Sequence, residues 1–459
     1  MSNNGSIMEL VAKGAQDEEL IDINNKTSIF DYSIIKKNKY AKGDTIFYPS
    51  GKANWGNTVR FYIERKGDLL YGLYLVVKLP KLSVENIIGT DEDLNENDID
   101  SEYRLKYSDY IGNTLIEKVS LYFNGQLIDE QYGEYMQIYT DLYISDWNRK
   151  AMIGLDDYLN LPNLKINPEY IYIPLNFWFC NNNNTPLPII SMQNTEIYID
   201  IKFRNFSDCY SILKKNTNSN LYFQQNLNHL EVPLEEVKLQ ANFYYLDLEE
   251  RKVMAEKEWS ISITQSQRRS TELKSNAILE IDFNHVVKDL FFYLRPIKHI
   301  EYGDFFNFTS KSSNPPGELL TKLTQSYLWN LEPERHLLSR ARILFNGIER
   351  VEWRDAKYFY NMQNYENYKN TIKTNIYLYS FNVNPTKFSN NNGCNFSRLD
   401  NAQLQVEIQQ NQFVVENKNT PSSSPVFYPL YDNFELVCFA TNFNILTIKG
   451  GLAGVKYYN

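Results

Sequence analysis

Short stretches in which apolar and polar side chains alternate one by one recur along the whole chain, and they constrain its fold more than any other feature. Leu73, Leu75, Val77 and Leu79 are interleaved with Tyr74, Val76 and Lys78. Val119, Leu121 and Phe123 alternate with Lys118, Ser120 and Tyr122, and Ile197, Ile199, Ile201 and Phe203 alternate with Glu196, Tyr198, Asp200 and Lys202. Successive side chains of a strand point to opposite faces, so each stretch predicts a strand with one buried and one wetted face. That is the antiparallel signature, because parallel strands covered on both faces read as continuous apolar runs. The pattern returns in Trp259, Ile261 and Ile263, in Leu279, Ile281 and Phe283, and in Leu404, Val406 and Ile408. Many short strands broken by Gly, Asn and Pro turns predict sandwiches or barrels. One amphipathic helix is expected in 131–143, where Tyr135, Ile138, Tyr139 and Leu142 share helical spacing.

The two halves look related. A strand ends in Phe123-Asn124-Gly125 and another in Phe345-Asn346-Gly347, with the asparagines 222 positions apart. Upstream of these, Leu79-Pro80 corresponds to Arg295-Pro296 at a spacing of 216, and downstream Asn194–Ile201 corresponds to Asn401–Ile408 at 207. Three landmarks in one order predict duplication of a single β domain. The expected division is an N-terminal arm at 1–26, a first domain at 27–210, a linker at 211–235 and a second domain at 236–459. A length of 459 residues accommodates two or three domains.

Charge and composition narrow the function. The net charge is −9 and no long basic run exists, which argues against direct nucleic-acid binding. Lys36-Lys37 and Lys214-Lys215 read as solvated surface. The excess of aromatics, Tyr 35 and Phe 26, suits strands and protein interfaces. Cys180, Cys209, Cys394 and Cys438 lack the close spacing of a zinc site and are expected as free thiols in a reducing compartment. The first twenty residues lack the basic and apolar regions of a signal peptide, and no apolar run reaches the ~20 residues of a membrane span, so a soluble, cytosolically made product is expected.

No catalytic, cofactor or metal site is read from the sequence. Asp91, Asp93, Asn95 and Glu102 fall at four calcium-loop positions, but Glu96 replaces the required glycine, so the stretch reads as a solvated acidic loop. Phosphate-loop, nucleophile-elbow and zinc-protease motifs are missing. His229, His285, His299 and His336 stand without a Ser or Cys partner at motif spacing. Glycosylation sequons occur at Asn4, Asn25, Asn183, Asn205, Asn307 and Asn395, with Asn307 the one to watch, since it falls in a polar loop.

Several stretches resemble the major capsid proteins of nucleocytoplasmic large DNA viruses, such as iridoviruses, chloroviruses and mimivirus-like viruses. They are residues 65–80, 111–136 and 173–203 in the first half, then 244–255, 283–296, 343–359, 379–405 and 441–459. The most specific are Asn395-Phe396-Ser397-Arg398-Leu399-Asp400 and the C-terminal segment. One departure is Val286 after His285, where the family usually has Pro. The resemblance implies an all-β tandem of two eight-stranded jelly rolls and a structural protein, not an enzyme. It further implies a homotrimer forming a pseudo-hexagonal capsomer. Its partners would be neighbouring capsomers with minor capsid and penton proteins, and an inner membrane would lie nearby, approached through minor proteins. The location would be the virion shell, assembled in the host cytoplasm, with the connections at 84–105 and 303–335 on its outer surface. Rival readings are a double jelly-roll scaffold of virion assembly, a carbohydrate- or receptor-binding surface protein, and a β-sandwich hydrolase. The tandem repeat without clustered catalytic residues argues against the last.

Overall fold

The computed structural model describes residues 39–83, 103–144, 151–154, 165–181, 185–215, 222–224, 231–301, 303–309, 336–368, 375–386, 392–409, 412–415, 426–429 and 433–458. From Tyr40 onward they belong to one compact unit.

Among the described residues, sixteen strands build two barrels. The first eight are β1 (Tyr40–Phe47), β2 (Thr58–Tyr62), β3 (Leu69–Leu79), β4 (Ile116–Phe123), β5 (Gln126–Tyr132), β6 (Glu169–Pro174), β7 (Ile197–Phe203) and β8 (Glu236–Leu246). The second eight are β9 (Trp259–Leu273), β10 (Ala277–Glu280), β11 (Val286–Pro296), β12 (Leu338–Phe345), β13 (Ile348–Asp355), β14 (Tyr377–Ser380), β15 (Ala402–Ile408) and β16 (Phe434–Lys449). The first barrel pairs its strands in the orders β1-β8-β3-β6 and β2-β7-β4-β5, and the second in the orders β9-β16-β11-β14 and β10-β15-β12-β13. Adding eight to each label of the first set gives the second. Each barrel is a jelly roll, all pairs are antiparallel, and the strand order is the same in both.

The alternating stretches bury their apolar face as expected. Leu73, Leu75, Val77, Leu79, Val119, Leu121, Ile199 and Ile201 are buried in the first core, and Leu279, Ile281, Leu404 and Val406 in the second. The Asn-Gly landmarks are tight hairpin turns, β4–β5 and β12–β13. Asn124 and Gly125 have φ of 47° and 84°, and Asn346 and Gly347 have 49° and 80°, the left-handed pair that Asn-Gly tolerates. Each asparagine also ties its turn to the strand beside it. Asn124 Oδ1 accepts the N–H of Glu196 at 2.6 Å, and Asn346 Oδ1 accepts those of Asp400 and Asn401 at 3.0 and 2.9 Å.

Two boundaries differ from the sequence expectation. Residues 236–246, assigned above to the second domain, form β8, which lies between β1 and β3 in the first barrel. Within the expected linker, the strand Tyr210–Lys215 pairs with Tyr103–Tyr107. Alternation marked both strands but carries no information about which sheet receives them.

The predicted helix forms as α1 (Gly133–Tyr143), yet it is buried nearly all round. Glu134, Gln137, Thr140 and Asp141 are covered along with Tyr135, Ile138 and Leu142. A second helix, α2 (Leu248–Glu256), buries none of its residues and carries the chain from β8 to β9. It is tied down by Arg251, which meets Asp68 at 2.9 Å, and by the Met254 carbonyl, which accepts from Ser191 Oγ at 2.7 Å.

Candidate functional site

The densest chemistry lies where the two barrels meet, and it begins with one strand. β11 reads Val-Val-Lys-Asp-Leu-Phe-Phe-Tyr-Leu-Arg-Pro and is buried at every position after the first. Leu290, Phe292 and Leu294 face the second core, while Phe291 and Tyr293 face the first barrel. Its neighbour β16 divides likewise, with Leu436, Cys438 and Ala440 on one side and Val437 and Phe439 on the other. An antiparallel sheet covered on both faces loses its alternation. In β9 the alternation survives, but Ile263 packs in the cluster of the first barrel, not in the second core.

The first barrel meets this sheet with β5 and α1. The rings of Tyr132 and Tyr135 stand 6.2 and 5.8 Å from Phe439, and Tyr135 Oη lies 3.2 Å from Thr441 Oγ1. Residues 194–195 hold the hairpin after β16: Thr195 Oγ1 donates to the Gly451 carbonyl and accepts from Ala453 N–H, both at 2.9 Å.

A buried ionic cluster bridges the seam. Glu134 on α1 lies 3.0 Å from Arg204 and 3.8 Å from Arg295. Arg295 reaches Glu435 at 2.5 Å and donates to the Phe305 carbonyl at 3.0 Å, and Arg268 meets Glu435 at 2.9 Å. The Glu134–Arg204 pair is close but out of line for a hydrogen bond, so its attraction is Coulombic. Both guanidiniums also stack on the Phe305 ring, at 4.0 and 4.3 Å. Burial pushes the Glu134 carboxyl up, and Arg204, Arg295 and Arg268 outweigh it, holding the group below the ordinary carboxylate range.

Asp129 on β5 shows the opposite balance. It accepts from Ser266 N–H of β9 at 2.9 Å, from Glu130 N–H at 3.0 Å and from Gln131 Nε2 at 2.8 Å, but among the described residues no cation pairs with it. Burial pushes its carboxyl up to about 7. A raised carboxyl favours folding while protonated, so its contribution is full below the unfolded value of 3.8 and is lost as pH rises towards 7. Asp129→Asn keeps the acceptor for Ser266 and removes the charge. Urea melts should show it more stable than the parent by ~1–3 kcal/mol at pH 8 and equal to it at pH 4. An equal gain at both pH values would show that the buried charge is not the cause.

The other titratable groups the sequence singled out do not converge. Cys209, Cys394 and Cys438 have thiols pushed up by burial, the reverse of an activated nucleophile. Burial lowers His299 and His336, and His299 Nδ1 is 2.9 Å from the Asn307 carbonyl oxygen. Among the described residues no three His, Cys, Asp or Glu side chains gather as metal ligands. His229, Asn4, Asn25, Asn183, Lys36-Lys37 and the acidic run 91–102 lie outside the described residues.

Asn307 is not the open loop residue expected. Its Oδ1 accepts from Thr309 Oγ1 at 2.7 Å and its Nδ2 lies 3.4 Å from Asp304. Phe305, Phe306 and Phe308 around it are buried, so 303–309 is interior and not surface loop. The rest of that connection, 310–335, and residues 84–102 lie outside the described residues. The sequence does not single out Glu134, Arg204 or Glu435 and marks Arg295 only as a strand end; the uninterrupted run Leu290–Leu294 ending in Arg295 was the available signal.

The comparisons with known proteins agree along the chain. Residues 28–247 match the family described as major capsid protein N-terminus, and residues 250–454 match the large eukaryotic DNA virus major capsid protein family. The major capsid protein of Phaeocystis pouchetii virus is 23% identical, with 99% of this chain and 100% of that protein covered. Among solved structures, the PBCV-1 virus capsid aligns with a TM-score of 0.72 at 19% identity, covering 94% of this chain and 100% of that one. The Faustovirus major capsid protein aligns with a TM-score of 0.69 at 13% identity, covering 95% and 94%.

Proposed function

This chain belongs to the major capsid protein family of large eukaryotic DNA viruses, and from that we propose that three copies close into a ring of six barrels that tiles an icosahedral shell. It is a structural component of the virion capsid, not an enzyme. The working division is a first jelly roll ending with β8 at Leu246 and a second opening with β9 at Trp259, joined by α2.

One observation carries the trimer. Inside the chain, the β5 edge and α1 of the first barrel cover the outer face of the β9-β16-β11-β14 sheet. Both of these surfaces exist a second time. The outer face of β1-β8-β3-β6 displays Tyr40, Ile46, Tyr170 and Tyr172, which are 59%, 42%, 43% and 40% exposed. After β13, the helical segment 358–367 presents Met362 and Tyr365, which are 49% and 79% exposed. The equivalent residues of the seam are buried: by strand pairing Tyr172 lies opposite Val76 as Leu378 lies opposite Phe291, and Leu378 is fully covered. A surface that fits a different surface on the next copy generates a ring when the rotation closes, and two barrels per chain give six positions from three chains. Tyrosine-rich faces suit such interfaces. Neighbouring capsomers and minor capsid and penton proteins are the remaining partners of this reading.

Light scattering on native protein should give three times the 54.0 kDa chain mass. A stable monomer at high concentration would sink the proposal. Recovery of the protein from immature particles but not from mature virions would favour a scaffold that is later shed.

A further inference from the structure

We infer that a cavity at the base of the second barrel is a socket for a carboxylate-bearing peptide segment of another capsid component, an inference that rests on the capsid reading. The cavity has a volume of about 750 Å³. Most of its lining comes from the two stretches that most specifically carry the family resemblance: Asn395, Ser397 and Arg398 from one, and Phe443, Asn444, Ile445 and Tyr457 from the other. Neither the barrel cores nor the seam account for these positions. Phe396, between them, fills the second core, while its neighbours turn to the cavity.

The chemistry of the walls selects the occupant. Val286, Phe443 and Ile445 supply apolar surface, and Ser260, Ser262 and Ser397 supply hydroxyls. Arg398 supplies a guanidinium, and no Asp or Glu belongs to the lining. Among the described residues, Arg398 has no ion-pair partner, in common with Arg65 and Arg350 but unlike Arg60, Arg204, Arg268, Arg269, Arg295, Arg340, Arg342 and Arg354, and of those three it alone lines the cavity. An unpaired guanidinium beside hydroxyl groups over an apolar floor matches a carboxylate flanked by an apolar side chain. The chain carries a net charge of −9, so a cationic pocket free of acids stands apart from its surroundings.

The wall is also held in an unfavourable backbone conformation. His285 has φ 65°, in the left-handed region that a non-glycine residue occupies at a cost. It is clamped there from both sides: its N–H donates to Ser397 Oγ at 2.7 Å, and its carbonyl accepts from Phe396 N–H at 2.9 Å. The first bond occupies Ser397 Oγ as an acceptor and leaves its proton for a ligand. The cavity lies at the end of the barrel that carries the β12–β13 turn, opposite the end from which β11 leads into residues 297–335. A partner seated there would approach the shell from the side away from that connection.

The test uses the native, full-length protein and two probes, N-acetyl-leucyl-glutamate amide and N-acetyl-leucyl-leucine with a free C-terminal carboxylate, followed by calorimetry. Side-chain acids as the source predict binding of the first, and chain termini predict binding of the second. Arg398→Gln should weaken whichever binds at least tenfold. Arg350→Gln, at an arginine outside the cavity, should leave it unchanged. The neutral twin N-acetyl-leucyl-glutamine amide should bind at least tenfold more weakly than the acid. Binding of neither acid, equal binding of the neutral twin, or full affinity in Arg398→Gln would overturn the socket. Inorganic phosphate binding in place of both peptides would also overturn it. Oligomer mass on the same sample separates the two claims: a trimer that binds no acid refutes the socket alone, and a monomer that binds refutes the ring alone.

Discussion

Tyr172→Asp should leave the chain folded and convert the proposed trimer to a monomer. Tyr172 stands on the outer face of the first sheet, 40% exposed, with its backbone paired to Val76 of β3. The matching position of the second barrel, Leu378, is fully buried against the first barrel. In the proposed ring of six barrels, Tyr172 would take the place of Leu378 and be covered by the second barrel of the next copy. A carboxylate there has no water and no partner. A tyrosine that serves as a hot spot at the centre of an interface contributes about 2 kcal/mol or more, and an unpaired buried charge adds several kcal/mol. An obligate interface of this kind buries more than ~2,000 Å², and the substitution acts against it at each of three equivalent contacts. Tyr365→Asp, on the complementary surface and 79% exposed, should act in the same way. Ile278→Asp is the control: Ile278 is 58% exposed on β10, away from both surfaces, and its variant should stay trimeric. Light scattering with circular dichroism reads the outcome. A folded trimer in both tyrosine variants would show that the ring uses other faces.

Glu134→Ala should be the most destabilising single change at the seam. The carboxylate is almost fully buried, 5% exposed, between Arg204 and Arg295. Removing it strips Arg204 of its carboxylate and leaves Arg295 with Glu435 alone, and breaking one partner of a buried pair typically costs about 3–5 kcal/mol. Arg340→Ala offers the contrast. Its pair with Glu407 has the shorter contact, 2.6 Å, but the arginine side chain is half exposed. Surface pairs contribute roughly 0–1 kcal/mol. Acidity should expose the difference. Glu134 is held below its ordinary value of 4.5 by three arginines, after burial opposes them. Its stabilisation is therefore present above that value and is lost as pH falls through the lower, folded one. Urea melts should show the gap between parent and Glu134→Ala to be wide at pH 7 and closing below pH ~4. A gap that stays constant with pH would mean that packing of α1, and not charge, is what the substitution removes.

Much of this architecture is legible in the order of residues. Asn124-Gly125 and Asn346-Gly347 announced two equivalent hairpins because left-handed backbone is a local property that those residue types tolerate. The spacings of 222 and 207 also preserve facing: Val119 and Ala341 both point inward, as do Ile199 and Val406. The landmark at a spacing of 216 found the right strands in the wrong register. Leu79 faces the first core, but Arg295 faces the seam, and Leu294 is the residue that matches. A shift of one residue turns every side chain to the other face, and no local signal guards against it.

The sequence alone determined the strands, their turns and the duplication, because alternation and turn chemistry act between near neighbours in the chain. The tertiary structure alone decided which sheet receives a strand and which faces meet. β8 alternates as well in one barrel as in the other, and only its pairing with β1 and β3 assigns it to the first. Glu134 and Arg295 lie far apart in the chain and are ordinary charged residues until the second barrel closes over α1. Burial then turns them from solvated groups into a cluster on which the seam depends. Desolvation belongs to the packed surfaces and not to any one residue, so it becomes readable only when both surfaces are in place.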